Sequence, residues 1–250
     1  MTDQSVDRRP VALVTGANKG IGFAVARGLG QRGFTVLVGS RDRSRGDAAV
    51  AALVNEGLDA RLVMMSVDDD DSVRRASDVV GRDFGRLDAL VNNAAIKLEA
   101  APSPPSQCSL QLVQQTFDTN VFGTIRVTQA LLPLMRQAPA PRIVNLSSGL
   151  GSLTLAVTDP LYMARPLLSY CVSKAAINSI TVQFANELRD SAFKVNAADP
   201  GFTNTDMIRT AARTTGRTAE DASALIVHLA TLGPDGPTGG FFNDDGPVPW

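Results

Sequence analysis

The stretch that most constrains this chain is Val11 to Gly22, V-A-L-V-T-G-A-N-K-G-I-G. Four apolar residues run into Thr15, as in a buried strand, and the glycines after it mark a tight turn feeding a helix. Gly16, Gly20 and Gly22 fall where a backbone must turn sharply, approach a pyrophosphate and let a helix pack closely on its strand. Asn18, Lys19 and Ile21 fill the positions between them, at a helix N-terminus suited to an anion. An ordinary tight turn also takes glycine for its positive φ. The stretch therefore predicts strand, turn and helix, and offers a nucleotide site that the rest of the chain has to support.

Short apolar runs alternate with amphipathic segments almost to the end, the pattern of βαβ units around a parallel sheet. The periodicity predicts strands over 11–15, 35–39, 60–65, 88–92, 142–147, 193–197 and 239–242. Helices are predicted over 20–31, 44–56, 71–83, 109–136, 171–189 and 218–232. A chain of 250 residues suits one domain, so the expected architecture is a flexible tail over 1–9 and a single α/β domain over 10–250. That domain is a doubly wound, Rossmann-type parallel sheet of seven strands with helices on both faces. In such a sheet the ligand crevice opens at the carboxyl ends of the strands, and the candidate functional residues fall there. Thr15 to Gly22 follows the first strand, Ser40-Arg41 the second, Ser66-Val67-Asp68 the third, Asn92-Asn93-Ala94-Ala95 the fourth, Ser147-Ser148 the fifth and Asp199-Pro200-Gly201 the sixth.

Charge narrows the partners. The 24 basic and 25 acidic side chains leave a net charge of −1, which gives no global field for nucleic acid or acidic membranes. The polar first ten residues lack the apolar core of a secretory signal, and no run is long enough to span a bilayer, so the expectation is a cytoplasmic protein. Cys108 and Cys171 match no metal spacing and make no disulfide framework. They are expected to be buried or incidental thiols. The single histidine, His228, lies among apolar neighbours and is expected to pack within its helix. That argues against a histidine triad and a histidine-based zinc site, and no metal is expected.

The sharpest chemical signal is Tyr170-Cys171-Val172-Ser173-Lys174. A tyrosine and a lysine four apart at a helix start share one face. A free phenol, with a pKa of about 10, is a poor proton shuttle near neutrality, and a neighbouring ammonium would favour the phenolate. The pair then becomes usable acid–base machinery; an exposed tyrosine and lysine on a helix is the plain alternative. Thr15 to Gly22, Asn92 to Ala95, Asn120, Ser148, Tyr170, Lys174 and Pro200-Gly201 occur together and in order. With them the chain resembles the short-chain dehydrogenase/reductase family from about Pro10 to about Gly246. The segments N-L-S-S-G-L-G-S-L and G-G-F-F-N-D-D-G-P-V-P-W are similar to the carbonyl-reductase-like branch.

The resemblance implies an oxidoreductase that binds NADPH/NADP+ and reduces an aldehyde or ketone. Tyr170 would protonate the carbonyl oxygen, and Lys174 would lower the Tyr170 pKa and hold the nicotinamide ribose. Ser148 would hydrogen-bond the carbonyl, and Asn120 would interrupt its helix and hold a water that relays protons to Lys174. Around the cofactor it implies Gly16, Asn18, Lys19, Gly20, Ile21, Gly22, Ser40, Arg41, Ser66, Val67, Asn93, Ala94, Ala95, Tyr170, Lys174, Pro200, Gly201, Thr203 and Thr205. Asn93 would steady the central sheet and lie along the adenosine ribose; Thr203 would act through its backbone and Thr205 through its side chain.

Three departures qualify this. Ser66 stands where the family commonly has an aspartate near adenine, with Asp68 to Asp71 displaced beyond it. Thr203 replaces a small aliphatic residue. Ser148 and Tyr170 are 22 positions apart, more than is usual in the family. The cofactor preference comes from charge, because an acidic residue at the end of the second strand would repel a 2′-phosphate. Here that position carries Ser40-Arg41, with Lys19 in the glycine loop, and Asp42 one residue too late. The alternatives are an NADP-dependent dehydrogenase oxidising a hydroxysteroid-like or polyol substrate, and a dinucleotide sensor without turnover. Two loops, 149–169 and 202–217, are expected to shape the substrate site. The first is apolar enough to wall a small-molecule carbonyl substrate, with Tyr162 and Met163 at the pocket rim, or to meet a second subunit in a homo-oligomer.

Overall fold

The computed structural model describes residues 9–207 and 216–250. The expected tail, apart from residue 9, and the middle of the expected 202–217 loop lie outside the described residues. In chain order the elements begin β1 (Val11–Thr15), α1 (Gly20–Gln31), β2 (Thr35–Ser40), α2 (Arg43–Asn55), β3 (Ala60–Met64), α3 (Asp70–Phe84) and β4 (Ala89–Asn92). Next come α4 (Leu110–Phe117), α5 (Gly123–Met135), β5 (Arg142–Leu146), α6 (Leu153–Thr158), α7 (Pro160–Met163), α8 (Leu168–Glu187), β6 (Lys194–Ala198), α9 (Ala219–Ala230), β7 (Phe241–Asn243) and β8 (Gly246–Pro247).

β1 is buried along its whole length, and its side chains divide between two cores. Ala12 and Val14 join Val25 and Leu29 of α1 and Ile226 of α9. Leu13 faces the other way, into a core shared with Val73 of α3, Leu131 of α5 and Ala185 of α8. A strand buried on both faces requires cover on both faces, and this is what makes the sheet doubly wound. Its order is β3-β2-β1-β4-β5-β6-β7-β8, so Leu13 pairs with Leu37 on one side and Leu90 on the other. Strand order reverses between β1 and β4, which is where such sheets open a crevice.

Among the described residues the sheet has eight strands where seven were expected. The first seven run parallel, and the two-residue β8 returns antiparallel to β7. The reversal is local: Asp245 N donates to the Asn243 side-chain oxygen at 2.9 Å, and Gly246 adopts φ 121°, a conformation that glycine takes without strain.

The helix expected over 109–136 is present but divided by a wider π-type turn at Asp118–Phe122. The expected loop 149–169 is also structured, holding a short 3₁₀ turn at Gly149–Gly151 and then α6 and α7. Ser152 caps α6 by accepting from Leu155 N at 3.0 Å, and Asp159 caps α7 by accepting from Leu161 N at 2.8 Å. Pro160 takes the first helical position, where its missing N–H costs nothing. The end of the chain holds this segment in place. The Ser152 hydroxyl donates to the Pro249 carbonyl at 2.7 Å, Thr154 N donates to the Trp250 carbonyl at 2.9 Å, and Trp250 stacks on Phe241.

His228 lies on the exposed face of α9 rather than packing as expected. The buried stripe takes Ile226, Val227, Leu229 and Ala230, and His228 falls outside it. Cys108 and Cys171 are free and half-buried. Among the described residues no helix is long and apolar enough to cross a membrane, and no group of histidine, cysteine or acidic side chains could hold a metal ion.

Candidate active site

The glycine-rich turn is shaped by the segment after β4. Thr15 Oγ1 accepts from the main-chain N–H groups of Asn93 at 3.0 Å and Ala94 at 2.9 Å, and Asn93 Nδ2 donates to the Thr15 carbonyl at 2.8 Å. These bonds tie Asn93 to the end of β1, beside the glycine turn. A Cβ at Gly22 would lie 2.5 Å from Asn93 Nδ2 and 2.7 Å from the Gly16 carbonyl oxygen, so α1 packs onto the turn in space that no side chain can share. Gly16 and Gly20 adopt φ 64° and 57°. The result is a bare main-chain cradle at a helix N-terminus, the shape a pyrophosphate requires. The dinucleotide expected from the sequence fits it.

Lys19 lies in this turn, and Arg41 follows β2, the strand beside β1. Arg41 is exposed. Lys19 Nζ pairs with Asp206 at 2.8 Å. Asp42, the carboxylate that complicated the charge argument, is turned away: it caps α2 by accepting from Arg45 N at 3.0 Å and pairs with the Arg45 side chain. Ser40 is buried and donates to the Asp42 carbonyl at 2.8 Å. Beyond β3 the Ser66 hydroxyl binds the Asp68 carboxylate, and the Val67 carbonyl accepts from Arg126 at 2.7 Å. Val67 also packs tightly on Gly123, where a Cβ would lie 2.9 Å from Val67 Cγ2.

On the other side of the crevice Ser148 comes close enough to Tyr170 for its hydroxyl to act on the phenol. They come together because the S-S-G-L-G segment docks on α8: Ser147 Oγ donates to the Lys174 carbonyl at 3.2 Å, and Asn178 Nδ2 donates to the Gly151 carbonyl at 3.2 Å. At Gly151 a Cβ would stand 2.6 Å from the Lys174 carbonyl carbon. Lys174 is buried, its Nζ donating to the Leu146 carbonyl at 2.7 Å and lying 5.5 Å from the centre of the Tyr170 ring.

The Tyr170 pKa runs against expectation: it lies above the ordinary phenol value, not below it. Burial is the largest cause, followed by the Asp199 carboxylate and Cys171, while the Ser148 hydroxyl works in the opposite direction. Burial also lowers the Lys174 pKa to about 8, against the pull of Asp199. Desolvation disfavours the charged form of each group, and it outweighs the mutual attraction of phenolate and ammonium.

Asp199 falls at a strand end that the sequence singles out without assigning the residue a role of its own. It is buried and accepts from Gly201 N at 3.0 Å, and the Gly149 main chain also acts to lower its pKa. One carboxylate therefore lies between the segments that follow β5 and β6. Its own pKa is raised, first by burial, with the two main-chain N–H groups and then Lys174 opposing.

Asn120 lies in the π-type turn, wholly buried. Its side chain accepts from Ile96 N at 2.8 Å and donates to the Ile96 carbonyl at 3.0 Å and to Ser173 Oγ at 3.1 Å. These bonds direct the amide to Ile96 and to the turn between Tyr170 and Lys174 rather than to Lys174 itself. In the segment after β6, Gly201 adopts φ 68°. Thr203 is buried and folds its hydroxyl back to the Pro200 carbonyl at 3.1 Å, while the Thr205 methyl would lie 3.5 Å from a Cβ at Gly20. Tyr162 of α7 reaches the serine segment, since a Cβ at Gly149 would stand 2.5 Å from its phenol oxygen.

A nucleotide cradle at the switch point of a parallel sheet, facing a hydroxyl, a phenol and a buried ammonium, defines a Rossmann-type oxidoreductase. Comparison with known proteins narrows this. The family model described as short chain dehydrogenase matches residues 10–216. Carbonyl reductase [NADPH] 1 of Rattus norvegicus is 32% identical over 97% of this chain and 99% of its own length. A short-chain dehydrogenase from Burkholderia cenocepacia J2315, solved in complex with NADP, superposes with a TM-score of 0.80 at 29% identity, covering 94% of this chain and 95% of its own. Salutaridine reductase from Papaver somniferum does so with a TM-score of 0.78 at 27% identity, covering 94% of this chain and 100% of its own. The chain belongs to the short-chain dehydrogenase/reductase family, in its carbonyl-reductase-like branch.

Proposed function

We propose that this chain is an NADPH-dependent reductase of aldehydes or ketones in which Tyr170 is the proton donor. The observation that carries the reading is a buried Lys174 held 5.5 Å from the centre of the Tyr170 ring, with Ser148 beside the phenol. When bound, the nicotinamide supplies a hydride. Gly16, Asn18, Gly20, Ile21 and Gly22 would hold the pyrophosphate, and Asn93, Ala94 and Ala95 would line the ribose side. The segment from Pro200 to Thr205 would run past the nicotinamide end. Ser40, Arg41 and Lys19 receive the 2′-phosphate, a role supported by the turning of Asp42 toward α2.

At the carbonyl, Ser148 donates a hydrogen bond to the oxygen and stabilises the charge that develops there. Tyr170 gives its proton to the same oxygen. A phenol with a raised pKa is held in the protonated form, which is the form reduction requires, and the alkoxide it meets is a stronger base than phenolate. Lys174 presents a positive charge beneath the phenol as the proton leaves. This arrangement favours reduction over the oxidative direction.

A panel of aldehydes, simple ketones, diketones and keto esters, followed by NADPH absorbance with NADH in parallel, tests the reading. Tyr170→Phe is expected to lower kcat by about 10² to 10⁴ and to leave NADPH affinity intact. Wild-type turnover in that variant on every reducible substrate would overturn the assignment.

A further inference from the structure

Glu99 belongs to no motif, yet its carboxylate is buried against the start of the helix that carries Tyr170. Its Oε1 accepts from Ser169 N at 2.8 Å, and its Oε2 accepts from the Ser169 hydroxyl at 2.6 Å and from Tyr170 N at 3.2 Å. Thr116 of α4 donates to Ser169 Oγ at 3.1 Å, and Cys108 Sγ lies 3.9 Å from Oε1. Lys97 Nζ donates to the Glu99 carbonyl at 2.7 Å.

The first N–H groups of a helix have no partner within it. In α8 the preceding residue, Leu167, offers no side-chain cap. Glu99 supplies from another segment the acceptors that a capping side chain gives to the second and third positions, and its charge meets the positive end of the helix. The third position is Tyr170 itself. The segment bearing Glu99 is tied to Thr15 through Asn93 and Ala94, and to Asn120 through Ile96.

We propose that Glu99 is a positioning residue for the reaction: by capping α8 it fixes the turn carrying the Tyr170 phenol against the wall of the nucleotide cradle. The proposal rests on Tyr170 being the proton donor. It differs from a role in stability alone because the bonds fall on the main chain of the acid-bearing residue and its neighbour.

The test compares Glu99→Ala, Glu99→Gln and Tyr170→Phe. Three readouts are needed: kcat at saturating NADPH, NADPH binding by its fluorescence, and the ionisation of Tyr170 by ultraviolet absorbance. Tyrosine occurs twice in the chain, so a Tyr162→Phe background leaves Tyr170 as the only phenol. Glu99→Ala is expected to lower kcat by about 10²-fold, the scale of a small misplacement of a reacting group, with NADPH binding unchanged. Glutamine keeps one acceptor oxygen and restores part of the loss. The phenol should ionise at lower pH in Glu99→Ala, since a frayed turn admits water and a nearby negative charge is gone. Lys174, Asp199 and Cys171 also face the phenol; they are the same in all Glu99 variants, so the difference reports Glu99. Unchanged kcat and phenol titration with only a lower Tm would overturn the proposal, as would loss of NADPH binding in parallel with kcat. Should Glu99→Ala fail to fold, Glu99→Gln decides by the same readouts. If Tyr170→Phe kept full turnover, the proton-donor assignment would fall, while the phenol titration would still decide whether Glu99 positions Tyr170.

Discussion

Lys174 Nζ donates to the Leu146 carbonyl at 2.7 Å, so the site's ammonium is anchored to the end of β5 beneath the phenol of Tyr170. Its pKa of about 8 lies below the ordinary lysine value of 10.5. Below pH 8 both folded and unfolded chains hold the proton, and the folded chain carries the full cost of burying the charge. Between about 8 and 10.5 the unfolded chain binds more protons, so stability rises with pH through that window, by at most about 1.4 kcal/mol per pH unit from this one group. Denaturant unfolding of the NADPH-free protein between pH 7.5 and about 10 is expected to show this rise in the wild type relative to Lys174→Met. Equal pH slopes in the two would contradict the buried ammonium.

Asp199→Asn tests the carboxylate between the two loops. Asparagine keeps an acceptor for Gly201 N but removes a charge that favours the protonated phenol and the protonated lysine. In a Tyr162→Phe background the Tyr170 phenol is expected to ionise at lower pH than with Asp199 present. Alcohol oxidation, which needs the phenolate, should reach its maximum at lower pH as well. A phenol titration unmoved by the substitution would show that the charge does not reach it.

Arg41→Ala is expected to weaken NADPH binding by about 10-fold or more, the scale of a charge-assisted hydrogen bond, and to leave NADH binding unchanged. Asp42 is already engaged with α2 and Arg45, so Asp42→Asn should affect helix stability more than cofactor choice. Equal efficiency with the two cofactors in wild type, unaltered by Arg41→Ala, would remove the charge argument.

Gly149→Ala acts on the substrate side, because the added methyl would displace the Tyr162 phenol at the expected rim of the pocket. Relative rates on bulky and small carbonyl compounds should change while NADPH affinity holds. Leu161 and Met163 of the same segment are exposed. Substituting them with smaller residues should also alter substrate ranking; an altered mass in light scattering with unchanged ranking would assign them to contact between subunits instead.

What the sequence made legible was local. The glycine turn, the Tyr170–Lys174 spacing and the strand ends each depend on a few adjacent residues, and the structure places them around one crevice. The direction of the Tyr170 pKa was misread because the spacing reveals the lysine but neither the burial nor the approach of Asp199. Glu99 stands 70 positions from Ser169, and no short pattern encodes their meeting. The helices α6 and α7 span 6 and 4 residues, too few for a period of 3.6 to declare itself. β8 has 2 residues, shorter than any alternation can reveal.

The anchoring of α6 by the main-chain carbonyls of Pro249 and Trp250 makes chain length, more than side-chain identity, the quantity under constraint between Asn243 and Trp250. Many residues can present a carbonyl at these points, but a chain one residue shorter would offer the wrong one to Ser152 and Thr154. A single deletion in this far stretch should therefore reshape the selectivity of a pocket whose own residues are all untouched.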